Sequence, residues 1–212
     1  MNKYKKIILV LLIIIVVLVV LFQFVSYKKY DNSYFGIDTY ISDIDMDNDG
    51  IDDQTDIIDN TRKYIATKPK YKSKYYTSGY PDDEYGVCTD VVAFSLLNAG
   101  YDLMKLVNNH VEENRFLYDI DVVDEKIDFR RVKNLEVYFK NNALVLTNNI
   151  SEIEEWQGGD IVVFEKHIGI ISDKRNKNGI PYVIHHANPY QIHYEEDILE
   201  SRNDIIGHYR VS

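Results

Sequence analysis

Six histidines and a single cysteine lie along the 212 residues of this chain, and their positions bound the chemistry it can attempt. Cys88 follows Gly86-Val87 and directly precedes the apolar helix expected over 89–99. A thiol at the start of a helix meets unpaired N–H groups and the positive end of the helix dipole, and both favour thiolate. A nucleophilic cysteine also needs a base, and the base needs an orienting group. His167 opens the stretch His-Ile-Gly-Ile-Ile-Ser, while His185 and His186 close Pro-Tyr-Val-Ile-His-His. Paired as an antiparallel hairpin, the start of the first stretch meets the end of the second. His167 then comes close to His185 or His186, and side-chain alternation lets only one of the two point at it.

A second cluster has the spacing of a calcium loop. Asp45, Asp47, Asp49, Asp53 and Asp56 fall at positions 1, 3, 5, 9 and 12 of a twelve-residue segment, with Gly50 at 6 and the Ile51 carbonyl at 7. Asp56 stands where glutamate is usual, and its shorter reach predicts weak affinity, on the order of 10⁻⁴ M. A solvated acidic turn capping the next helix is the plain alternative. Arg130-Arg131 has the forks to grip a carboxylate, but structural pairing with nearby acids is the simpler expectation. Tyr71, Tyr75, Tyr76, Tyr80 and Tyr85 either wall a groove for a peptide or glycan stem or pack a long loop, with packing slightly favoured. The histidines lack zinc-site spacing.

The elements that must position these residues change period midway. Helical spacing covers 55–67, 89–99, 103–114 and 134–141, and Ser151-Glu152-Ile153-Glu154 has capping-box form. Apolar runs bounded by turn residues then predict strands at 161–164, 167–172, 181–186 and 206–211. Helices first and an antiparallel meander after them make an α+β plan.

Residues 7–25 are uncharged and almost wholly apolar, long enough to expect an uncleaved transmembrane helix. Residues 1–6 then form a cytoplasmic tail, 26–42 a stalk and 43–212 one extracytoplasmic domain. Beyond residue 30, nineteen basic residues face 34 acidic ones, which argues against nucleic acid as a partner. An exported chain with one cysteine forms no internal disulfide, which leaves Cys88 as a reactive group, a filler or a crosslink.

The order Gly-Val-Cys-Thr-Asp, Gly-Asp-Ile-Val-Val-Phe, His-Ile-Gly-Ile and Val-Ile-His resembles the NlpC-type cell-wall peptidases of the papain-like clan. More closely, the chain resembles the domain of unknown function 1287. Asp49-Gly50-Ile51-Asp52-Asp53, Ile127-Asp128-Phe129-Arg130-Arg131-Val132, Gly159-Asp160-Ile161-Val162 and Gly207-His208-Tyr209-Arg210 add to the match. The resemblance implies a papain-like NlpC-type fold and hydrolysis of peptide or amide bonds in bacterial peptidoglycan. Cys88 matches the nucleophile, His167 the base and His185 the third, polar member, with His186 facing away. Thr89-Asp90 departs from the Ser-Gly usual after the cysteine, which alters the pocket beside the nucleophile. An acyltransferase using the same triad, or a calcium-stabilised wall-binding module without activity, are the alternatives. No cofactor is expected for catalysis beyond a structural calcium.

Overall fold

The computed structural model describes residues 3–26 and 28–211; the side chains of 19–26 lie outside that description. Where the sequence turns to short β-branched runs it builds one antiparallel sheet, in the order β3-β8-β4-β5-β6-β7. The strands are β3 (Leu144–Val145), β4 (Ile161–Phe164), β5 (His167–Arg175), β6 (Pro181–Ile184), β7 (Glu195–Glu196) and β8 (Ile205–Arg210). All four residues of β4 are buried, so this central strand is covered on both faces. Ile161 and Val163 meet the helices, whereas Val162 and Phe164 meet a smaller cluster around Trp156 and Leu199.

The helical layer consists of α2 (Asp53–Ala66), α3 (Cys88–Leu97), α4 (Leu103–Glu113), the single turn α5 (Glu125–Asp128) and α6 (Val132–Asn142). In α3, Val91, Val92, Ala93 and Leu96 have no exposure and join Ile168 and Ile170 of β5 in the main core. Each fully buried Val or Leu contributes about 1.5–3 kcal/mol, so the helix bearing Cys88 is held by its apolar face. Its start is fixed by Asp90, whose carboxylate accepts from the Val87 N–H at 2.8 Å. Tyr85–Gly86 (β2), just before α3, pairs in parallel with Lys70–Tyr71 (β1) and brings Tyr71 beside Gly86.

A buried carboxylate ties the layers together. Asp160 accepts from His208 Nε2 at 3.0 Å, Arg210 Nε at 2.7 Å, Gln54 Nε2 at 2.8 Å and the Gln157 N–H at 2.8 Å. The preceding Gly159 has φ +96°, and a Cβ there would lie 2.7 Å from the Gln54 carbonyl oxygen. The Gly-Asp pair is therefore a structural joint between α2, β4 and β8. The expected strands and long helices form within a few residues of their predicted ends, but Ser151–Glu154 makes turns only, with the Asn149 side chain accepting from the Ser151 N–H.

At the N-terminus the sequence expectation needs correction. A helix, α1 (Lys3–Ser26), does form over the apolar run. Among the described residues, however, no helix is long and apolar enough to cross a membrane. Of the run expected to span, Ile7 to Leu18 are described together with their side chains. The remainder of the run expected to span, 19–25, has side chains outside the description. The segment read as a stalk lies against the domain: the Asn32 side-chain amide donates to Gln157 Oε1 at 2.9 Å, and Tyr30 bridges to Arg175.

Candidate active site

Cys88 is the first residue of α3 and is half-buried. Its thiol is met by the backbone N–H of Ile168. Ladder pairing between β5 and β6 stops at Ile170–Ile184, which leaves that amide uncommitted on the β6 side. Amide N–H groups lie in the plane of a sheet, so the thiol lies close to that plane, while Cys88 itself packs against the core on the helix-side face.

On one side stand His167 and His185. His167 Nε2 lies 2.9 Å from His185 Nδ1, and the rings meet edge to face at 4.9 Å. Gly169 makes this possible, since a Cβ there would lie 3.2 Å from His185 Cβ and 2.6 Å from Val183. His185 Nε2 in turn is 3.1 Å from Glu196 Oε2, close enough for attraction though not aligned as a hydrogen bond. If His185 turns its N–H toward Glu196, its Nδ1 accepts, His167 Nε2 donates, and the lone pair of His167 falls on Nδ1. No hydrogen bond occupies that Nδ1 among the described residues.

On the other side stands His186, 3% exposed, its ring 5.2 Å from Tyr71 and 5.1 Å from Tyr194. Beneath Cys88, Asp90 is fully buried and clamped by Arg130, Nε to Oδ1 at 2.6 Å and a terminal nitrogen to Oδ2 at 2.9 Å. Arg130 is thus a structural partner, as is Arg131 to Asp128 at 3.1 Å.

The electrostatics differ from what the helix start alone predicts. Burial pushes the Cys88 thiol up to about 11, with nearby Asp90 adding to the rise, and the amides of Ile168 and Thr89 offset only part of it. Burial likewise holds His167 down to about 4 and His185 down to about 3. Desolvation outweighs the helix dipole here, so the resting site holds a neutral thiol beside neutral imidazoles.

The residues of this site fall within a recognised sequence unit. The family model for the domain of unknown function DUF1287 matches residues 58–211. The chain belongs to the DUF1287 family. It is also 34% identical over 167 residues to the "Uncharacterized protein YijF" of Escherichia coli (strain K12), covering 73% of this chain and 80% of that one. No solved structure matches. Within the DUF1287 match lie Cys88, Asp90, Arg130, Asp160, His167, His185, His186 and Glu196.

The acidic loop falls before that match. Ligand atoms of Asp45, Asp47 and Asp49 lie within 4.8 Å of one another. Asn48 and Gly50 take positive φ and fold the loop inward. Asp56 is buried and its carboxyl is raised, first by burial and then by Asp49 and Asp47, so it lies within electrostatic reach of the cluster. Asp53 does not join: one oxygen accepts from the Met46 N–H at 2.8 Å and the other from the Tyr101 hydroxyl. Glu196 escaped sequence reading because a two-residue strand carries no period.

Proposed function

We propose that this DUF1287 domain is a cysteine hydrolase of papain-like, NlpC type that cleaves a peptide or amide bond, with Cys88 as nucleophile and His167 as base. The observation that carries the reading is the Ile168 amide on the Cys88 thiol, because it sets the thiol beside the residue next to His167. The chain His167–His185–Glu196 supports it by leaving the His167 Nδ1 lone pair open and by offering an acceptor behind the imidazolium that forms.

In this reaction the thiol proton passes to His167 Nδ1 as sulfur attacks the carbonyl carbon. The same proton then goes to the leaving amine as the C–N bond breaks, and water hydrolyses the acyl-enzyme. The Cys88 N–H, first in its helix and without an intrahelical acceptor, is a donor for the oxyanion. Cell-wall peptide is the substrate class favoured by the NlpC resemblance. Incubation with purified muropeptides and mass spectrometry of the products tests this. Cleavage should vanish in Cys88→Ala and His167→Ala and fall less in His185→Ala, and intact muropeptides with the unaltered protein would overturn the substrate.

We also propose that the acidic loop holds a structural calcium through Asp45, Asp47, Asp49, Asp56 and the Ile51 carbonyl. The gathering of three carboxylates, with a fourth whose charge they oppose, favours this over a plain turn. Millimolar calcium should raise the melting temperature, and Asp47→Ala should abolish the rise. Identical melting in calcium and in chelator would remove the idea.

A further inference from the structure

Buried polar atoms without partners are uncommon, and each calls for an explanation. Among the described residues, four of the six such side-chain atoms belong to Tyr64, Thr89, His185 and His186. Two of these residues lie at or beside the start of α3, which Cys88 opens, and the two histidines directly follow β6. Thr89 follows Cys88, and a Cβ on Gly86 would lie 2.2 Å from the Tyr64 hydroxyl. His185 Nε2 is accounted for by the nearby Glu196. His186 Nδ1 is not.

His186 is placed at the thiol by separate contacts. Its ring meets Tyr71, whose own titration is raised by burial and then by Cys88, so Tyr71 touches His186 and lies within electrostatic reach of the thiol. Its other neighbour, Tyr194, packs on the helix-side core together with Cys88 and Ile168. Asp90, two residues into the helix that Cys88 starts, acts on the His186 ring as well. His186 therefore flanks the thiol from the face opposite His167 and His185. A nearly fully buried imidazole with an open nitrogen beside a nucleophile is suited to hold a polar atom of the bound substrate.

We propose that His186 is a further catalytic residue of this site, its Nδ1–H donating to the carbonyl oxygen of the acyl group that Cys88 attacks, opposite the Cys88 backbone N–H. This rests on the hydrolase reading above. As a neutral donor it stabilises the negative oxygen that appears only on attack, so it speeds acylation without changing the thiol itself.

Two probes separate the roles. p-Nitrophenyl acetate acylates Cys88 through a carbonyl and develops an oxyanion, whereas iodoacetamide alkylates at a saturated carbon and develops none. His186→Leu should slow the acylation burst by roughly 10²–10³-fold, the cost of one oxyanion donor, and leave the alkylation rate within about twofold. His186→Asn, whose amide nitrogen takes the place of Nδ1, should recover most of the loss, and His186→Gln, whose nitrogen takes the place of Nε2, should not. The alkylation rate also reports whether each variant is folded around Cys88. Acylation by His186→Leu at the unaltered rate, or recovery by Gln rather than Asn, overturns the proposal. Failure of the unaltered protein to acylate at Cys88 would instead sink the hydrolase reading on which it rests.

Discussion

At Cys88 two physical effects compete, and their sizes decide the outcome. The first turn of a helix typically stabilises a nearby negative charge by 0.3–1 kcal/mol, whereas a rise from 9.0 to about 11 corresponds to roughly 3 kcal/mol against the thiolate. Burial wins. A free cysteine near 8.5 is a few per cent thiolate at pH 7, and a thiol near 11 should react on the order of 10²-fold more slowly. Iodoacetamide modification of Cys88 should therefore be slow at neutral pH and climb steadily through pH 8 to 10. A fast plateau already present at pH 6 would show a thiolate–imidazolium pair in the resting protein and refute the neutral one. The same neutrality makes His167 a base that works during attack, so its replacement should affect turnover far more than resting alkylation.

At the scale of elements, α3 and the β5–β6 hairpin hold the site, and both were readable from the chain. The apolar run after Cys88 and the Gly169 gap beside His167 each carry a local signal, and the hairpin does bring His167 to His185. What the sequence hid is set by distant partners. Burial of the thiol arises where α3 meets β5, far apart in sequence, β1 and β7 are too short to show a period, and Asp53 turned from the loop to Tyr101 across 48 residues. The Asp90–Arg130 pair is the clearest case, since its members are 40 residues apart and almost wholly buried. Arg130→Leu leaves Asp90 charged, dry and without its clamp while it still caps α3. Denaturant melts should show a loss of about 3–5 kcal/mol, whereas Asp90→Asn with Arg130→Leu should lose distinctly less, because no buried charge is stranded. Equal losses in the single and double variants would mean that the pair acts by packing rather than by charge.

Across the whole molecule, the buried titratable groups of the site set the pH range in which the fold is most stable. His167 and His185 are held at about 4 and about 3 in the folded chain, while an unfolded histidine titrates near 6.5. Between pH 6.5 and about 4 the unfolded chain consequently binds more protons than the folded one. Stability rises with pH wherever that is so, and it must fall as the solution is acidified through this window. Cys88 acts at the opposite end. Its folded value of about 11 exceeds the unfolded 9.0, so the folded chain keeps a proton that the unfolded chain releases, and stability falls as pH rises from 9 to 11. The melting temperature should thus be highest between about pH 6.5 and 9 and drop on either side. The acid limb can be assigned by substitution. In a His167→Gln/His185→Gln variant the groups that resist protonation are gone, so the decline between pH 6.5 and 4 should be shallower even if the variant melts lower at pH 7. The alkaline limb should persist there and flatten in Cys88→Ala. An acid limb of unchanged slope in the double variant would place the pH dependence elsewhere, with His186, which burial also lowers, or with the carboxylates that titrate in the same range.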